Sequence, residues 1–527
     1  MYAKVNSMGM QGLDALPVVV EADISSGLPR FDLVGLPGSS VSESRERVRS
    51  ALKNSGLGFP VSRITVNLAP ADFRKEGPIY DLPILLAILL ASGQLSADLS
   101  KVVLLGELSL DGKTRRINGV LPMLIAAMEK GLKTAYIPAA NAAEAAVLSG
   151  ITVYPVRDIA GLLRHFDGSA PLAPIPCRFH QQEKADIAQL PHSSALAGTS
   201  VGQGEAVDFA QIKGQGAAKR AMEIAAAGGH NLLLVGPPGS GKSMMAKALP
   251  SILPGMTYQE SLETSKIYSI SGLLPSGAGL ITVRPFRSPH HTVTETALTG
   301  GGNNFRPGEV SLAHNGVLFL DELPLFSRRA LECLRQPLED HQVTISRQRY
   351  TATYPCTFML VCAMNPCPCG FLGDPHHICT CTEHMQKAYR NRLSGPLLDR
   401  IDLQIRVQPV TWEEFRPGRT DAEEESSAVV RTRVEAARAI QRDRFRGTSI
   451  ACNAGIPGSR VRHYCRLTAR AEQLLQQAFD RLGLSARGSD KVLRTARTIA
   501  DLAASPELDT AHLAEAIGYR SGEDLFG

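Results

Sequence analysis

The sequence has no apolar run long enough to span a membrane: the most prominent, Leu82 to Ala91, falls far short of the ~20 residues that a bilayer helix needs. No membrane partner is expected. The first residues, MYAKVNSMGMQG, lack the charged-then-apolar layout of a signal peptide, so the expected compartment is the cytoplasm. Tryptophan occurs once and low-complexity sequence is scarce, against a fibrous or disordered chain. Without a secretory signal, the ten cysteines point to thiols or metal ligands and not to a disulfide framework. Nor is there a strong charge of either sign. The formal net charge of +5 permits a nucleic-acid partner and requires none.

With 44% hydrophobic and 20% charged residues, a chain of 527 residues can bury large cores, and ~150 residues per domain gives about three of them. An α/β multidomain protein is expected. Residues 1–168 alternate β-rich runs such as RITVNL and KVVLLGEL with helical stretches such as LPMLIAAMEKG. Residues 169–206 carry Pro, Ser and Gly without periodicity and read as a linker. Residues 207–410 hold the apolar strands NLLLV, GVLFL and TFMLVCA separated by helical segments, the pattern of a parallel sheet with crossover helices. Residues 411–527 are charged, alanine-rich and helical.

The chemistry concentrates in the second block. Gly236, Pro237, Pro238, Gly239, Ser240, Gly241, Lys242 and Ser243 satisfy G-x-x-x-x-G-K-S, directly after the strand NLLLV and before the helical MMAKAL. Glycines let backbone N–H groups turn toward phosphates, Lys242 meets the β- and γ-oxygens, and Ser243 reaches Mg²⁺. Chance would supply the four fixed positions in about 2 of 100 chains this long. Downstream, GVLFLDEL ends an apolar strand in two carboxylates, at the edge where ligands of such sheets bind. Asp321 is expected on Mg²⁺ and Glu322 as the base that orients the attacking water of ATP. The next strand, TFMLVCAMN, ends in Asn365, whose amide can hold that water or simply cap the strand.

Together with NLAPADFRKEGPIYDLPI, RPFRSPHHTVTETALTGGG, NPCPCGFLGDP and SGPLLDRIDL, these segments resemble the magnesium-chelatase-like AAA+ family over nearly the whole chain. The resemblance implies a Lon-protease-like (S5-like) N-terminal domain, an AAA+ P-loop NTPase core and an α-helical C-terminal lid domain. It implies that Asn365 is the sensor-1 residue and that Arg400 is an arginine finger reaching the ATP of a neighbouring subunit. Arg487 matches the sensor-2 position of the lid, with Arg494 two helical turns on as its substitute.

The N-terminal likeness to Lon stops short of its chemistry. Where Lon-type peptidases carry a nucleophilic Ser, this sequence reads Gly77, Pro78, Ile79, Tyr80, Asp81, and Leu121 stands at the place of their Lys. Without hydroxyl or amine, Ser-Lys catalysis is excluded there.

Cys367, Cys369, Cys379 and Cys381 form two C-x-C pairs, with His376 and His377 between. Four thiolates in a short loop can hold a structural Zn²⁺, and a histidine can replace one of them; scattered reduced thiols are the other reading. Two basic stretches are candidate DNA contacts. RPFRSPHHT, with Arg284, Arg287, His290 and His291, falls where related AAA+ proteins insert a loop into helix 2. QVTISRQRYTATY alternates as a β-hairpin with Arg347 and Arg349 near its tip. A solvated charged loop is the competing reading for each.

The resemblance implies an ATP-driven DNA translocase or helicase, a homo-hexameric ring driving branch migration in homologous recombination during natural transformation. Its expected partners are single-stranded and branched DNA, a recombinase and other recombination proteins. The alternative is the motor subunit of a magnesium or cobalt chelatase.

Overall fold

The computed structural model describes residues 1–178, 207–275, 277–302, 305–347, 350–375, 377–410 and 424–520. Most of the expected linker, and the start of the expected helical domain, lie outside the described residues.

The chain opens with a hairpin of two long strands, β1 (Tyr2–Gln11) and β2 (Asp14–Ser25), paired from Tyr2↔Asp23 to Gln11↔Asp14 around a turn at Gly12 with φ +63°. Next come β3 (Arg30–Val34), helix α1 (Ser44–Asn54), β4 (Arg63–Ala69), α2 (Asp81–Ala91), β5 (Val102–Leu104), α3 (Val120–Glu129), β6 (Thr134–Pro138), β7 (Thr152–Val156) and α4 (Ile159–Phe166). The seven strands form one mixed sheet in the order β3-β4-β2-β1-β5-β6-β7. The apolar run at Leu82 is the core helix α2, in which ten of the 11 residues are buried. Its first residue, Asp81, is a fully buried carboxylate that Arg47 meets with two N–H groups at 2.6 and 3.0 Å, and such burial is tolerable only with that pairing.

The second sheet follows α5 (Gly216–Gly228). Its strands are β8 (Leu232–Val235), β9 (Phe286–Arg287), β10 (Val317–Leu320), β13 (Met359–Met364) and β14 (Leu403–Arg406). Between them lie α6 (Lys242–Ile252), α7 (Tyr258–Ser271), α8 (Glu383–Arg390) and a separate antiparallel hairpin of β11 (Gln342–Arg347) and β12 (Tyr350–Pro355). All five sheet strands are parallel, in the order β9-β10-β13-β8-β14. Every residue of β8, β10 and β13 is buried, which is why they read as unbroken apolar runs.

Alternate residues of these strands serve two cores. Leu233, Val235, Leu318 and Leu320 face one; Leu232, Leu234, Val317 and Phe319 face the other. The second core also takes Val430 and Val434 of α9 (Ser427–Arg444), Leu475 of α10 (Ala469–Leu482), Leu493, Ala496 and Ile499 of α11 (Ala486–Leu502), and Leu513 of α12 (Thr510–Gly518). The C-terminal helices thus share their core with one face of the sheet. The N-terminal part docks on α7: Ser269 Oγ donates to Glu144 at 2.6 Å and Gly119 N to Ser269 O at 3.0 Å. Among the described residues, no helix is long and apolar enough to cross a membrane.

Candidate nucleotide site

β8 delivers the chain to Gly236 at the carboxyl edge of the parallel sheet. The loop turns on Gly239 (φ +77°) and Gly241 (φ +84°), a backbone region costly for residues with a Cβ, and both positions face open space. Gly236 is constrained differently, since a Cβ there would stand 2.5 Å from Val407 O. Helix α6 begins at Lys242, whose Nζ folds back to donate to Gly236 O at 2.8 Å and Pro237 O at 2.7 Å. Burial lowers this ammonium to about 8, against the opposing pull of Asp321. Next to it, Ser243 Oγ donates to Asp321 Oδ2 at 2.6 Å. A hydroxyl and a carboxylate therefore converge beside a helix N-terminus and an open glycine loop, a donor set that fits Mg²⁺ and phosphate oxygens.

Asp321 and Glu322 leave the end of β10 at the same edge. Glu322 adopts φ +51°, ψ +47°, a left-handed conformation that costs a non-glycine residue free energy and recurs at functional sites. Its N–H donates to Asp321 Oδ1 at 2.9 Å, and its carboxylate stands 3.6 Å from His291 Nδ1. Sheet order sets β13 between β10 and β8, so Asn365 follows a strand flanked by both chemistry-bearing strands. Its Oδ1 lies 3.3 Å from Lys242 Nζ.

The arginines occupy the other edge. β14 runs parallel to β8 in the register Leu232↔Leu403 to Val235↔Arg406, so Arg400, three residues before β14, sits at the amino edge. Four residues of strand, about 13 Å, separate the two edges. Arg400 pairs with Glu339, and Arg487 Nη1 lies 4.0 Å from the same carboxylate. Both line a cavity of about 680 Å³ with Lys491 and Arg494, and none of Gly236 to Ser243 contributes to its wall. Arg487 and Arg494 therefore stand with Arg400 and away from the chain's own phosphate loop.

Two of the expected DNA contacts have partners within the chain. The basic segment begins as the edge strand β9, and Arg284 just before it spends its donors inside the protein: Pro254 O at 2.7 Å, Asn315 O at 2.8 Å, Gly255 O and Glu260 at 3.2 Å. Arg287 is held by Glu309 at 2.7 and 2.8 Å. Both guanidiniums are engaged by groups of the chain itself. His290 is exposed, whereas His291 is partly buried against Glu322, a contact no local sequence signal announces. Arg347 ends β11, and Arg349 lies outside the described residues.

The four cysteines do meet: the Sγ atoms of Cys367, Cys369, Cys379 and Cys381 all lie within 4.8 Å of one another. His377 stands apart, stacked on Phe371 at 4.6 Å and bonded to Asp374, and His376 lies outside the described residues. In the N-terminal sheet region, Ile79 and Leu121 are both buried core residues.

Family models match three stretches of the chain. Magnesium chelatase, subunit ChlI, matches residues 208–415, subunit ChlI of Mg-chelatase matches 20–141, and the ChlI C-terminal model matches 424–520. Competence protein ComM of Haemophilus influenzae is 41% identical over 98% of this chain and 97% of its own length, and YifB of Salmonella typhimurium 40% identical over 99% and 98%. The chain belongs to the magnesium-chelatase-like ComM/YifB family. The Lon protease of Mycolicibacterium smegmatis is 28% identical over 30% of this chain and 21% of its own. For the ComM/YifB family, AAA+-like membership implies ATP and Mg²⁺ as what the phosphate loop takes.

Proposed function

We propose that the protein is an ATP-driven DNA translocase or helicase that works as a homo-hexameric ring and promotes branch migration in homologous recombination during natural transformation. The observation that carries this reading is the division of ATP-handling groups between the two edges of one sheet. The carboxyl edge has the phosphate loop, Asp321, Glu322 and Asn365; the amino edge has Arg400 and Arg487 around one carboxylate. In a ring, the arginine edge of one copy faces the phosphate edge of the next. The DNA substrate and the recombination partners are carried over from the competence function named for the Haemophilus relative, and the cytoplasm is the matching compartment.

Ser243 and Asp321 would hold Mg²⁺, which when bound neutralises phosphate charge. Lys242 exchanges its carbonyl contacts for phosphate oxygens. Glu322 takes the proton of the attacking water, Asn365 orients that water, and the neighbour's Arg400 stabilises charge on the transferred phosphoryl. The cysteine cluster takes a structural Zn²⁺.

The test is unwinding of forked DNA together with steady-state ATP hydrolysis at two salt concentrations. Salt-sensitive stimulation by DNA, with both activities lost in Lys242→Ala, is the expected result. The ChlI matches favour a second reading, the motor of a magnesium or cobalt chelatase. Indifference to DNA combined with stimulation by a tetrapyrrole-chelatase partner would install it instead.

A further inference from the structure

We propose that the four-cysteine loop binds one Zn²⁺ per chain and that this metal is the brace of the nucleotide site, holding both Asn365 and the phosphate loop in position. The inference deepens the ATPase reading of that site and rests on it only for the step from nucleotide binding to turnover.

The sulfur geometry comes first. Cys367 Sγ lies 3.3 Å from Cys369 Sγ and 3.7 Å from Cys379 Sγ, and Cys369 and Cys379 are 3.6 Å apart. A tetrahedral zinc with Zn–S near 2.3 Å has sulfur–sulfur edges of about 3.8 Å, whereas a disulfide needs about 2.05 Å. The cluster therefore has the size of a metal cage and not of a bonded pair. A backbone N–H, that of Cys369, also points at Cys381 Sγ at 3.3 Å and ties the fourth sulfur to the same turn. The remaining described cysteines are not gathered in this way. Cys356, Cys362 and Cys465 are buried singly among apolar neighbours and act as small hydrophobic residues.

The loop has little apolar core of its own. Among the described residues between Cys369 and Cys381 only Gly370 is buried, and Ile378 is 91% exposed. A segment without a core needs a staple to keep one conformation.

What the staple holds is the active edge. Cys367 lies two residues beyond Asn365, so fixing its sulfur fixes the exit of β13. Gly370 presses directly on the phosphate loop: its backbone sits at φ +89°, and a Cβ there would meet Pro238 Cδ at 2.6 Å, with Asn365 Cγ 3.8 Å away. The far end of the loop feeds α8, where Gln386 Nε2 donates to Cys381 O at 3.2 Å and the Tyr389 hydroxyl meets the Asn365 backbone amide. Arg406 Nη2 ties Gly373 O at 2.9 Å to the end of β14. Asn365 and Pro238 are thus supported by a loop whose internal cross-link is the metal.

The experiment uses the full chain, purified without added zinc, and reads three quantities: bound metal by elemental analysis, affinity for a fluorescent ATP analogue, and turnover. One zinc per chain is expected, and growth with Co²⁺ should give the visible absorption of a tetrahedral thiolate site. Cys379→Ala should lose the metal, bind the analogue about tenfold more weakly and turn over about 100-fold more slowly, the scale of a 1 Å misplacement. Cys379→His, which restores a ligand, should recover metal and affinity together, and Ile378→Ala in the same loop should change nothing. Should Cys379→Ala fail to fold, chelation of the folded wild-type chain with the same readouts decides. A folded wild-type chain without stoichiometric metal overturns the proposal, as does metal loss with unchanged affinity. Metal-dependent ATP binding in a wild-type chain with no turnover supports the brace and sinks the ATPase reading.

Discussion

At the carboxyl edge of the second sheet the polar groups are bonded to one another: Ser243 to Asp321, Lys242 to the loop carbonyls and toward Asn365. At the amino edge Arg400 and Arg487 are gathered by Glu339, which carries out no chemistry in the proposed reaction, around an open cavity. The first edge is preorganised for a ligand it would hold alone. The second is a charged cavity wall whose arginines share one carboxylate. The contrast teaches that the ATP-handling groups of the proposed reaction are divided between two edges of one sheet, and the proposed ring is what would bring them together.

The largest effect should come from breaking that arrangement at Arg400. Arg400→Ala is expected to keep ATP binding and lose about 10³ to 10⁵ in turnover, the range known for arginine fingers. Mixing Arg400→Ala with Lys242→Ala subunits should restore activity above either alone, because each supplies the edge the other lacks. Full activity of Arg400→Ala, or no gain on mixing, would dissolve the distinction between the edges. Within the carboxyl edge, Glu322→Gln should bind ATP and DNA normally and turn over about 10² to 10⁴ times more slowly, since the amide keeps the shape and loses the base. Normal turnover in this variant would remove Glu322 from its proposed role.

The sequence was most legible where the chemistry demands contiguous residues. A phosphate loop must be strand, glycine turn and helix in succession, so Gly236 to Ser243 announce themselves, and parallel strands buried on both faces show as apolar runs. The opening hairpin was opaque because polar Asn6 and Ser7 interrupt its first strand, and their partners are carbonyls nearly a hundred residues away, Ser100 O and Leu104 O. The intrachain partners of Arg284 and Arg287 are not legible in the sequence, because Glu260 and Glu309 lie more than 20 residues away. The edge occupied by Arg487 could not be read at all. It is set by which face of the sheet α11 packs upon, through Leu493, Ala496 and Ile499.

His291 sharpens the comparison on a finer scale, because it links the strained Glu322 to the segment that follows β9. Its Nδ1 is 3.6 Å from the Glu322 carboxylate, and its ring lies 4.0 Å from that of the exposed His290, tilted by 35°. At that separation the ring steers the carboxylate through a long, weak contact. His291→Ala should therefore lower turnover by up to about tenfold, the worth of one hydrogen bond, and leave the KM for ATP unchanged. The double variant with Glu322→Gln should be no slower than Glu322→Gln alone, since the ring acts only through that carboxylate. Additive losses would instead assign His291 a contact with ATP or DNA of its own, and the carboxyl edge would then extend into the loop beyond β9.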